Sequence, residues 1–105
     1  MKKVEQERFL EEFFIEMSEV ILKKGNDYAN DDRLSNFKLA GAVSGLSAEQ
    51  NCLSLIATKV ARLGVLFNSD GEPNNESVED SILDLANYSA LLAMIVYESK
   101  VEEYA

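Results

Sequence analysis

An all-α domain is the fold this sequence predicts, and three observations predict it. Pro occurs once and Gly five times in 105 residues, and the long stretches of Leu, Ala, Glu, Ile and Lys favour helix. Apolar residues make up 47% of the chain, well above the level at which chains stay disordered. Those residues recur at three- and four-residue steps, the period of a helix with one buried face. The length suits one domain and leaves no room for a second core. The expected architecture is a single compact bundle over residues 1–105, three long helices plus one short helix.

The first helix is expected over Val4 to Lys24. Phe9, Leu10, Phe13, Met17, Val20 and Ile21 form its apolar stripe, with Glu5, Glu12 and Glu19 opposite. Lys23 and Lys24 suit the negative end of the helix dipole, and Gly25 offers a left-handed stop. "GNDYANDDRLS" (25–35) has loop composition, with Tyr28 its only aromatic group. A short helix from about Ser35 to Ser44, ended by Gly45, comes next. "SAEQ" (47–50) is a capping box in which Ser47 and Gln50 satisfy each other's amides. The helix it opens runs to about Phe67, burying Cys52, Ile56, Val60, Leu63 and Phe67. "NSDGEPNN" (68–75) is a turn, and a last helix starts near Asn75 or Ser77 and runs to the end. Its segment Ala90 to Tyr97 is apolar nearly all round, which suggests a homodimer through that helix.

The net charge of −9 is unevenly placed: residues 66–105 hold nine acids against Lys100 alone. Such a field disfavours direct duplex DNA binding and anionic membranes, and favours a basic protein groove as partner. The lone Cys52 excludes an intramolecular disulfide, and with no His it excludes a zinc site. Cys52 reads as a small buried hydrophobe. The start lacks the apolar core of a signal peptide, and the longest apolar run is too short for a bilayer. A cytoplasmic protein is expected.

The polar residues carry the functional reading. At 100° per residue Glu76, Asp80, Asp84 and Asn87 share one quadrant of the last helix, and Leu91 and Met94 continue it. Lys59 and Arg62 sit among apolar neighbours of the preceding helix. Antiparallel packing across the 68–75 turn brings these acids toward those bases, either as a structural salt-bridge network or as a polar pocket. The pocket reading adds Glu16, Glu19, Lys24, Asp27 and Tyr28, and suits a phosphate or nucleotide. Magnesium takes a few carboxylates and fills its remaining positions with phosphate oxygens and waters. Glu16 and Glu19, one turn apart, with Asp80 and Asp84 opposite would form such a site.

"EMSE" (16–19) and "DSILD" (80–84) together resemble the MazG-like all-α nucleotide pyrophosphohydrolases, whose helices carry E-x-x-E and E-x-x-D. The second motif departs from that pattern, since its acids are four apart. "KGNDYANDDRLSNF" (24–37), "KVARL" (59–63) and "NESVEDSILDLANY" (75–88) resemble the nucleotide modification associated domain 1 family. That resemblance implies an all-helical protein of a phage or mobile element, near nucleic-acid modification or counter-defence functions. It carries over Asp27, Tyr28, Asn36, Phe37, Lys59, Arg62, Glu76, Asp80, Asp84, Asn87 and Tyr88. In size and charge the chain is also similar to anti-CRISPR proteins.

Action by binding is expected, with no cofactor. The leading expectation is a counter-defence inhibitor occupying the basic nucleic-acid channel of a host defence nuclease of Cas9-like type. The alternative is a nucleotide-handling protein, either a magnesium-dependent pyrophosphohydrolase or a sponge that sequesters a nucleotide.

Overall fold

The computed structural model describes residues 1–28, 31–68 and 77–104, and the side chains of all of these except 25–28, 103 and 104. Four helices and no strand occur among them: α1 (Lys3–Tyr28), α2 (Ser35–Ser44), α3 (Ala48–Phe67) and α4 (Val78–Tyr104). The chain is all-α. No helix among the described residues is long and apolar enough to cross a membrane.

Local signals explain most helix ends. Ser47 Oγ accepts from the Gln50 amide at 3.1 Å and Gln50 Oε1 accepts from the Ser47 amide at 2.9 Å, so α3 opens on a complete capping box. Gly45 takes φ 73°, and the Leu46 amide reaches back to the Gly41 carbonyl at 2.7 Å, closing α2 in a Schellman motif. That return brings backbone so close to Gly41 that a Cβ there would lie 2.7 Å from the Leu46 oxygen. Asp32 Oδ1 accepts from the Leu34 amide at 3.0 Å and turns the chain into α2. At α4, Ser77 Oγ accepts from the Asp80 amide at 3.0 Å, the N-cap arrangement.

The first helix ends differently from expectation. It continues through Gly25 to Tyr28. Glycine permits a left-handed stop but does not compel one; the stop forms where the following residues bond back, as Leu46 does after Gly45. Within a helix a glycine costs only about 1 kcal/mol relative to Ala.

α3 and α4 pack antiparallel. Glu49 Oε1 accepts from Ser99 Oγ at 3.0 Å near one end and Lys59 meets Asp84 at 2.9 Å near the other. Between them Cys52 is fully buried, and its thiol donates to the Tyr88 carbonyl at 3.3 Å. Burial pushes that thiol's pKa up, which keeps it inert. α2 lies on α3, so that Leu34 and Phe37 join Cys52 and Ile95 in the core, with Ile56, Leu91 and Leu92 around them. Lys38 links α2 to α4 through Glu98, and also holds Asp32 at 2.6 Å.

Two packing expectations are corrected. Val60 and Phe67 are exposed, because at 100° per residue they lie about 60–80° off the line through Cys52, Lys59 and Leu63 that faces α4. The assembly is also less compact than a closed bundle. Its radius of gyration is 15.9 Å, against about 13 Å for a compact domain of this length. α1 accounts for this. Its carboxyl-terminal turns reach α2 and α4, while Phe9, Leu10, Phe14 and Ile15 stay exposed.

Candidate functional site

Where the end of α1, the start of α2 and the middle of α4 converge, they enclose a cleft of about 620 Å³. Each element contributes for a local reason. α4 presents Asp84, Asn87, Leu91 and Met94, spaced three and four apart, so that one stripe passes from acid through amide to hydrocarbon along a single wall. α2 supplies Leu34 and Phe37, buried at its first turn, with Asn36 exposed beside them. From α1 come Val20 and Ile21, and Lys24 stands one turn further on. Arg33, in the turn before α2, donates to the Leu22 carbonyl at 2.8 Å and so ties that turn to α1.

The inner wall holds an unusual group. Asn87 is only 6% exposed, yet among the described residues its Oδ1 has no hydrogen-bond partner. Buried side-chain amides are ordinarily satisfied, and an orphaned acceptor costs about 1–3 kcal/mol. Here the orphan belongs to a residue that lines a cleft.

Electrostatics divide the cleft. Asp84, 26% exposed, is neutralised at 2.9 Å by Lys59, itself 19% exposed. Lys24 and Arg33 stand exposed on the opposite rim. An acidic protein thus presents two cations around an apolar floor.

The residues named from sequence are placed as follows. Asp84 and Asn87 share the cleft with Leu91 and Met94, and Asn36 joins them from α2. Lys59 supports Asp84 from behind. Arg62 is exposed, because its angular position on α3 lies about 60° beyond that of Lys59. Asp80 is exposed on the first turn of α4, and among the described residues it has no ion pair, so the pairing expected of it with the bases of α3 does not form. Its backbone amide serves the helix cap. Glu16 and Glu19 are exposed on α1. Among the described residues no three His, Cys, Asp or Glu side chains converge as metal ligands would, so Glu16, Glu19, Asp80 and Asp84 do not form the expected cluster. Asp27 and Tyr28 lie in α1 with side chains outside the described set, and Glu76 lies wholly outside it.

Sequence reasoning missed Arg33 and Leu34. Both fall in a stretch read as loop, and the one available signal was an Arg-Leu pair directly before the "SNF" start of α2. Comparison with family models, with curated proteins and with solved structures finds no match to this chain.

Proposed function

We propose that the protein binds a small phosphorylated, base-bearing ligand of the nucleotide type in this cleft, and acts by holding it. The observation that carries the reading is the orphaned Asn87 amide oxygen, buried against an apolar cleft. A carboxamide offers a paired acceptor and donor, the complement of a nucleobase edge. Leu34, Phe37, Leu91 and Met94 offer a flat base hydrocarbon on which to lie, and Lys24 and Arg33 offer a phosphate its counter-charge. The volume falls in the range of about 300–1,000 Å³ usual for small-molecule sites.

Thermal unfolding of the intact chain in the presence of individual nucleoside mono-, di- and triphosphates tests this. A ligand at a hundred times its Kd stabilises the folded state by about 2.7 kcal/mol, so one class of nucleotide raises the Tm. Lys24→Glu combined with Arg33→Glu removes the shift. Recovery of the nucleotide unchanged after incubation with magnesium is the expected outcome for a protein that holds its ligand, and release of pyrophosphate overturns that part of the reading. No shift with any nucleotide at millimolar concentration refutes the proposal.

The inhibitor reading is favoured by one separate observation: Glu5, Glu7, Glu11, Glu12, Glu16 and Glu19 are all exposed along α1. It predicts association with a guide-loaded Cas9-like nuclease that weakens as salt rises. Undiminished DNA cleavage at excess protein removes it.

A further inference from the structure

Away from the cleft, two apolar surfaces stay uncovered. Phe9 and Phe13 stack with ring centroids 5.8 Å apart, and Phe14 meets Phe13 edge-on at 6.5 Å. Phe9 is nevertheless 56% exposed and Phe14 54%. These rings form one aromatic patch on the amino-terminal half of α1. On α4 a shallow groove of about 440 Å³ runs over Leu92, Ala93, Val96 and Tyr97, with Lys100 at its end. Tyr97 is 71% exposed.

Surface area says how large the missing partner is. The chain exposes 7827 Å², whereas a folded monomer of 11.7 kDa is expected to expose about 5,900 Å². The excess is roughly 1,900 Å² per chain, and two chains burying it would form an interface of about 3,800 Å², inside the range of obligate homodimers. Lys100 lines the groove, and Arg8 stands exposed beside the α1 patch together with Glu11, Glu12 and Glu16. Knob and groove therefore lie on one chain, the self-complementarity that a two-fold dimer requires.

We infer that a second copy of this chain covers both surfaces, the Phe9–Phe13–Phe14 patch of one protomer seating in the α4 groove of its partner and the reverse. The interface completes the bundle that α1 leaves open. Because each copy carries −9, like-charge repulsion opposes association, so the dimer tightens as salt rises. This is the opposite salt response to that of an electrostatically bound partner.

Sedimentation equilibrium of the full chain, at low and high salt, tests the inference. The expected mass is twice 11.7 kDa, with the monomer fraction falling as salt is added. Phe9→Asp and Tyr97→Asp each shift the mass to that of the monomer, while Leu39→Asp, on the exposed face of α2, leaves the dimer intact. Far-ultraviolet circular dichroism of each variant separates a lost interface from a lost fold. Since Phe9 and Tyr97 are exposed in the protomer, both variants keep their helix content. A wild-type chain that is monomeric at hundreds of micromolar overturns the inference, and so does a dimer indifferent to both substitutions. A monomer whose α1 instead binds neutral lipid vesicles overturns it too. Nucleotide-induced shifts in Tm are read separately, so failure of either proposal leaves the other standing.

Discussion

Replacing Asn87 by Leu removes a buried amide whose oxygen has no partner among the described residues, and puts hydrocarbon beside Leu91 and Met94. In most proteins exchanging a buried Asn for Leu destabilises, because hydrogen bonds are lost. Here the sign reverses. Leaving a buried acceptor unsatisfied costs about 1–3 kcal/mol, and exchange for an apolar group relieves that cost. The larger isobutyl group has room, since the residue borders a cleft of about 620 Å³. For a chain of 105 residues each 1 kcal/mol moves the Tm by about 4–8 °C, so a rise of at least about 4 °C is expected. Circular dichroism melts at matched concentration measure it. The nucleotide-dependent shift of the wild type is lost in the same variant, so stability and binding change in opposite directions, as expected of a polar group kept for a ligand. A Tm that falls would show that the amide supports the fold through bonds of its own, and the site would lose its main argument.

Three further outcomes follow from the packing. Gly41→Ala places a Cβ 2.7 Å from the Leu46 oxygen and 3.0 Å from that of Ser47, both backbone atoms; overpacking of this kind costs about 1–3 kcal/mol, read as a lower Tm. Asp84→Ala takes from Lys59 a carboxylate at 2.9 Å in a pair only 19% and 26% exposed. Its cost lies between the roughly 0.2–1 kcal/mol of a surface pair and the roughly 3–5 kcal/mol of a buried one, and urea titration measures it. Lys38→Met separates α2 from Asp32 and Glu98 and lowers the Tm at neutral pH. The Lys38 ammonium, and after it the Leu34 amide, hold the Asp32 carboxyl below its usual range, while Asp32 and then Glu98 raise the Lys38 pKa. A carboxylate with a lowered folded pKa stabilises above its unfolded value and loses that contribution as pH falls through the folded one. A raised ammonium stabilises below its unfolded value and loses it as pH rises through the folded one. Neutral pH lies between those limits, so the difference between Lys38→Met and wild type is largest there and shrinks in strong acid. A difference independent of pH would contradict the ion-pair geometry.

Several features were determined by the sequence alone. The Ser47–Gln50 box, the Gly45 stop and the Ser77 start each act over three or four residues, so their outcome is readable without knowing what lies nearby. Helical periodicity also fixed that Asp84, Asn87, Leu91 and Met94 share a face, and they share the cleft. Tertiary structure decided the rest. The direction in which α3 meets α4 drew Lys59 inward and left Arg62, Val60 and Phe67 outside. The return of α2 beside α1 brought Arg33 and Leu34 to the cleft, from a stretch whose composition reads as loop. The exposure of the α1 phenylalanines was equally hidden, since an apolar stripe specifies that a face is to be covered without specifying by what. Each of these depends on the relative placement of helices many residues apart. That placement follows from how the side chains of different elements fit together, and no short-range pattern along the chain encodes it.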